Sequence, residues 1–173
     1  MDARRAVHGS INGAASVKAL VGAFVESQGG FVRHKRGYFR HQPEVIQVVS
    51  LQWDSLRARY QFTVALFVRT TPYSWVTARE QVDTEFPQLH LCHLNLDLRD
   101  LIPDGYEAVE QVLRLPGELA DAALTLAPLR EFLHDRVASF LSKSSSLAGL
   151  RQLGSQGAFE GVWIHPELAR DLR

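Results

Sequence analysis

From Tyr60 to Arg69 the side chains alternate. Tyr60, Phe62, Val64, Leu66 and Val68 fall on one side of an extended chain, and Gln61, Thr63, Ala65, Phe67 and Arg69 on the other. A repeat of two residues belongs to a strand and fits no helix. Val45 to Trp53 repeats the pattern, with Val45, Val49, Leu51 and Trp53 on one face and Ile46, Val48, Ser50 and Gln52 on the other. Only the charged turn Asp54 to Arg59 separates the two segments. A linker this short joins antiparallel neighbours, because a parallel pair needs a crossover of a dozen or more residues.

Upstream, Phe31–His34 and Tyr38–His41 flank Lys35-Arg36-Gly37, whose glycine suits a tight hairpin turn. Downstream, Leu89 to Leu98 reads as a further strand. Cys92, Leu94, Leu96 and Leu98 share one face, and His93, Asn95, Asp97 and Arg99 the other. Leu89 and Leu91 are out of phase with that set, which places a bulge near Cys92. Between the strands, Thr70 to Gln88 reads as a loop with one helical turn, punctuated by Pro72 and Pro87 and containing Trp75.

Helices precede and follow. In Gly13 to Gln28, Val17, Leu20, Val21, Phe24 and Val25 recur at helical spacing on one face. Ser10 or Asn12 is the cap, and Gly29-Gly30 the stop. After the turn Pro103-Asp104-Gly105, Tyr106 to Leu115 is a short helix broken by Pro116-Gly117. Leu119, Ala123 and Leu126 follow at helical spacing. Pro128 marks a boundary, and Leu129, Phe132, Leu133, Val137, Phe140 and Leu141 line one face of a longer helix. Ser144-Ser145-Ser146 caps a helix through Leu153, and another short helix follows Pro166. The order is α+β: an antiparallel sheet of about four strands, with an N-terminal helix and a C-terminal helical third packed on one face. The second face is expected to stay wet. No repeat or low-complexity linker interrupts residues 1–173, so the chain reads as one domain.

With 46% hydrophobic and 22% charged residues, the composition is that of an ordinary globular protein. No apolar run approaches the roughly 20 residues a membrane helix needs. The start Met1-Asp2-Ala3-Arg4-Arg5 lacks a secretory pattern, and the single Cys92 cannot form an internal disulfide; both lead to the expectation of a cytoplasmic protein. Nineteen basic and nineteen acidic residues cancel, so no bulk charge draws the chain to nucleic acid or membrane. Locally they do not cancel. Residues 31–78 hold seven basic residues against two acids, and residues 79–121 hold three arginines against ten acids.

Enzyme chemistry has little to build on. His90-Leu91-Cys92-His93 offers three potential ligands that a strand would split between two faces, and neither C-x-x-C nor His-Glu-x-x-His occurs. No serine elbow, cysteine signature or glycine-rich phosphate loop is present. The sequence reading is therefore non-enzymatic, with no metal and no cofactor.

Two binding readings follow. In Phe31 to His41, the cations Arg33, Lys35, Arg36 and Arg40 mix with three aromatics, a composition that can track phosphates and stack bases. That segment is the basis of an RNA- or DNA-binding alternative, against which the neutral total charge weighs. The leading reading is protein recognition on the polar sheet face of Gln52, Thr63, Arg69, His93, Asn95, Asp97 and Arg99. The partner-binding residues would be His93, Asn95, Asp97, Arg99, Asp100 and Asp104. There Asp97, Asp100 and Asp104 would meet a partner's cations, and reversing those three acids should weaken binding without harming the fold. The sequence leaves the oligomeric state open.

Gly30-Phe31, Gly37-Tyr38-Phe39-Arg40, Val45-Ile46-Gln47-Val48-Val49 with Leu51-Gln52, Phe62-Thr63-Val64-Ala65-Leu66 and Pro128-Leu129-Arg130-Glu131-Phe132-Leu133 together carry a resemblance. Over roughly residues 12 to 150, the chain resembles the bacterial domain-of-unknown-function family numbered 4304. The resemblance implies a bacterial α+β domain and brings no catalytic or binding residue to these positions. An immunity protein that blocks a cognate toxin is the specific form of protein recognition considered with it.

Overall fold

The protein is described by a computed structural model covering residues 11–72, 83–102, 104–114, 118–119 and 122–173. The first strand, β1 (Ile11–Asn12), runs directly into helix α1 (Gly13–Gln28). Asn12 caps the helix: its Oδ1 accepts a hydrogen bond from the Ala15 N–H at 3.2 Å. Gly29 and Gly30, at φ 66° and 71°, end it in a conformation that side-chain-bearing residues rarely adopt. The residues between these signals bury Val17, Val21, Phe24 and Val25.

The chain then enters the sheet through β2 (Phe31–His34), β3 (Gly37–His41), β4 (Val45–Asp54) and β5 (Arg59–Val68). Each pairs antiparallel with the next, and β6 (Leu94–Leu96) pairs with β5, giving the order β2-β3-β4-β5-β6. Five strands stand where the sequence predicted about four. The first hairpin turns on two residues, with His34 opposite Gly37. Its left-handed residue is Lys35 (φ 48°), so Gly37 belongs to the strand, where a side chain would press on the Phe39 ring.

Leu89 to Leu98 departs most from expectation. It forms a 3₁₀ turn (Leu89–Leu91), the three-residue β6, and helix α2 (Leu98–Leu101). The phase break near Cys92 is therefore a turn before the strand, with no bulge inside one. The strand ends at Leu96 because Asp97 caps α2.

The helical third follows: α3 (Tyr106–Leu113), α4 (Ala122–Thr125), α5 (Ala127–Glu131), a π-helical stretch (Phe132–Val137), α6 (Ala138–Lys143), α7 (Leu147–Ser155) and α8 (Pro166–Asp171). α5, the π stretch and α6 form one helix over residues 127–143. Leu119 lies in β7 (Glu118–Leu119), paired with β1, and not on a helix. Ser146 caps α7 by accepting from the Gly149 N–H at 3.1 Å. Trp75, the helical turn expected around it, Pro116-Gly117 and residues 1–10 lie outside the described residues.

The helices cover one sheet face. Val45 and Val49 of β4, Phe62, Val64 and Leu66 of β5, and Leu94 and Leu96 of β6 share a core with α1 and the 127–143 helix. Phe62 meets Phe132 edge-on at 5.4 Å, and each such fully buried side chain contributes about 1.5–3 kcal/mol. One polar network sits inside this layer. Gln47, fully buried on β4, donates from Nε2 to the Leu141 carbonyl at 2.6 Å and to Ser144 Oγ at 3.0 Å. Its Oε1 accepts from Arg40 Nε at 2.7 Å, while Arg40 also donates to the Gln28 and Leu141 carbonyls. Two side chains thus join the end of α1, the sheet and the end of α6.

Gln47→Leu keeps the volume and removes the side-chain hydrogen bonds to Leu141, Ser144 and Arg40, leaving those groups without a partner there. Urea unfolding is expected to show a loss of about 2–4 kcal/mol. An unchanged midpoint would show the network to be dispensable.

Candidate functional site

The second face of the sheet is largely covered. Phe39, Ile46, Val48, Ala65 and Phe67 form a second buried cluster with Cys92, and Phe86 and Leu89 pack against it. The covering segment is held by its own turn, in which Asp83 Oδ1 accepts from the Glu85 and Phe86 N–H groups. It is held to the sheet by His34, which stacks on Phe86 at 4.1 Å, and by Arg69, which reaches the Thr84 carbonyl and His41. The wet platform expected from the alternation is therefore sealed at its centre. Thr63 and His93 are buried, Gln52 and Asn95 are half-buried, and Arg69 is committed to the lid.

His93 is the clearest correction among the six expected partner-binding residues. It is fully buried, and its Nδ1 accepts from the Val68 N–H at 3.0 Å, which assigns the ring proton to Nε2. The His165 N–H donates to its carbonyl, and the two rings meet edge-on at 5.4 Å. Burial, with the nearby His165 adding to it, pulls its pKa down to about 4. A neutral ring with no access to solvent cannot meet a partner.

Asp97 and Asp100 are occupied by each other's backbone. Asp97 Oδ1 accepts from the Arg99 N–H at 2.8 Å and the Asp100 N–H at 3.3 Å, and Asp100 Oδ2 accepts from the Asp97 N–H at 2.8 Å. Burial pushes the Asp100 carboxyl above its ordinary range. Reversing these acids removes a helix cap, typically about 1 kcal/mol, so the expectation of an unharmed fold does not hold. Asp104 is exposed in the turn before α3.

The structure does bring Arg99 and Asp100 into one cleft of about 640 Å³, with residues the sequence reading passed over. Asp135 and Arg136 come from the π stretch, Lys143 from α6 and Glu160 from the turn before β6's bridging partner Ile164. Three positive and three negative side chains thus line it, over an apolar floor that includes Leu96, Phe140 and Val162. The π stretch is marked by the Ala138 N–H donating five residues back to Leu133, a widening that recurs at functional sites. None of the six charges enters an ion pair among the described residues. Trp163, next to Val162, is 57% exposed. In the sequence these charges sit on the polar face of a helix and in a glycine-rich turn, where they read as solvated surface.

The basic segment divides. Arg33, Lys35 and Arg36 are exposed at the β2–β3 hairpin. Arg40 faces the helices, lies over the Phe31 ring at 4.8 Å and belongs to the Gln47 network, so it is removed from the nucleic-acid set.

Because His93 is neutral when folded down to about pH 4 and has an ordinary pKa near 6.5 when unfolded, the unfolded chain binds the extra proton between those values. Its contribution is complete above pH 6.5 and lost as pH falls toward 4, up to about 3 kcal/mol. His93→Asn keeps an acceptor for Val68 and is expected to flatten the fall measured by urea unfolding at pH 7, 5.5 and 4. An equal fall in both proteins would contradict the assignment.

Comparison of the chain with known protein families, with curated proteins and with solved structures finds no match.

Proposed function

We propose that the protein is a non-catalytic protein-binding module that docks through the cleft between α2, the 127–143 helix and residues 157–162. The observation that carries this reading is the ring of six charges, three of each sign, that the fold leaves without ion pairs among the described residues. In the free protein water solvates such charges at little cost. Opposite a complementary surface they fix register and exclude wrong partners. The neighbouring exposed indole of Trp163 and the apolar floor supply the desolvated centre that such contacts surround.

No helix among the described residues is long and apolar enough to cross a membrane. The buried, unpaired thiol of Cys92 accords with work in the reducing cytoplasm. The partner is a protein presenting both signs of charge around an apolar contact, and a toxin whose active cleft is sterically covered is the case considered.

The test is capture of partners from the native host by the whole chain, followed by Kd measurement on the purified pair. The swap Asp135→Lys with Arg136→Glu preserves net charge, and both residues are exposed. It is expected to weaken binding about thirtyfold, or about 2 kcal/mol. Trp163→Ala should cost about tenfold. Binding unaffected by the swap would reject this cleft as the docking surface.

A further inference from the structure

The opposite end of the sheet carries a second set of uncommitted charges. Most arginines in the described residues have a job. Arg40 joins the Gln47 network, Arg57 pairs with Asp54, Arg59 and Arg114 with Glu110, Arg170 with Glu167, and Arg151 donates to the Asp171 carbonyl. The side chains of Lys18, Arg33, Lys35 and Arg36 enter no ion pair among the described residues. All four are exposed, and together they line one concavity of about 410 Å³ in which no acid among the described residues takes part. Exposed cations so grouped repel one another only weakly in water, and together they attract an anion. Asp83 lies within electrostatic reach of Lys35, but its carboxylate is held by the Glu85 and Phe86 N–H groups of its own turn and lines neither concavity at the hairpin.

Two further features specify the anion. Lys18 Nζ lies 5.7 Å from the centre of the Tyr60 ring, and Trp53 meets that ring at 5.2 Å while remaining 46% exposed. An open indole therefore stands beside the ring that Lys18 approaches. On the far side of the same turn, Lys35 and Arg36 also line a concavity of about 660 Å³ whose walls include Phe39 and Phe86 and whose floor carries Ser50 and Gln52. Gln52 donates to Ser50 Oγ at 3.0 Å, which leaves its Oε1 as an acceptor. Cations, an exposed aromatic face and a small seat with amide and hydroxyl groups are what phosphates and unstacked bases require. A duplex presents stacked bases and needs an element that enters a groove, and neither concavity is of that scale.

We propose that the β2–β3 hairpin end is a second binding site, for a short stretch of single-stranded nucleic acid, with Lys18, Arg33, Lys35 and Arg36 on the phosphates and Trp53 stacking a base. The footprint is small, in keeping with the neutral charge of the whole chain. This site is separate from the docking cleft, and each stands or falls without the other.

Fluorescence anisotropy with labelled twelve-nucleotide oligothymidylate tests it. With four phosphates engaged, log affinity should fall against log salt with a slope of about −3. Changing all four cations to Gln should abolish binding, while Trp53→Ala should weaken it about tenfold with the slope unchanged. A twelve-base-pair duplex should bind at least tenfold more weakly. No anisotropy change at low salt would overturn the proposal. So would full binding by the four-Gln protein, an equal response to a labelled twelve-residue polyglutamate, or indifference to Trp53→Ala, each of which would reduce the site to a different or unspecific anion surface. Circular dichroism of each variant confirms the fold, and single Arg36→Gln serves if the fourfold change disturbs it.

Discussion

The ten-residue strands β4 and β5, paired from Val45 opposite Val68 to Asp54 opposite Arg59, are buried on both faces over most of their length. That condition dictates the rest. A strand covered on one side needs one apolar set, and these carry two: Val45, Val49, Phe62 and Leu66 toward the helices, Ile46, Val48, Ala65 and Phe67 toward the lid. Each set requires a cover. The first is supplied by α1 and the 127–143 helix, and the second in part by residues 83–93, through Phe86, Leu89 and Cys92. Two polar side chains admitted to these layers are anchored by hydrogen bonds. Gln47 is matched by Leu141, Ser144 and Arg40, and His93 by the Val68 amide.

With the sheet enclosed, the two proposed binding surfaces lie at its ends. The fold spends many of its charges on itself: Glu110 holds two arginines, Asp97 and Asp100 cap α2, and Arg69 fastens the lid. Two groups of charges that form no ion pair among the described residues differ in character. Around the cleft beside the π stretch both signs are present, which suits a protein surface. At the hairpin turn they are all positive. The separation is physical as well as chemical, since β2–β3 forms one edge of the sheet and β6 the other.

Much of the fold was legible in the sequence because periodicity survives burial. The face assignments in β4 and β5, the span of α1 and its Asn12 cap, and the Ser146 cap all follow from spacing and cap chemistry. Failures came where a local rule was outvoted. Cys92 to Leu98 alternates like a strand, yet Asp97 is a stronger helix cap than a strand residue, so pairing stops at Leu96. Val48, Ala65 and Phe67 in a row of second-face positions already signalled a covered face, because a solvated one would not hold them. Gln52 and Thr63, polar members of the same row, mask that signal. The cleft was illegible for another reason: Asp135, Arg136 and Glu160 are ordinary surface residues until tertiary structure brings them together. Arg40 and Arg36 look alike in sequence. Only the strand pleat, which turns one toward Gln47 and leaves the other at the turn, tells them apart.

The account depends most on the second face being closed, and Cys92 reports on it directly. The thiol is buried in the cluster beneath the lid, and burial pushes its pKa well up, so it should be inert while the protein is folded. Reaction with a disulfide-based thiol reagent, followed spectroscopically under native conditions, is predicted to proceed only as fast as the protein unfolds, and to become immediate in denaturant. Prompt, stoichiometric reaction of the native protein would mean that the lid is open and the sheet face available, contradicting the placement of recognition at the two ends.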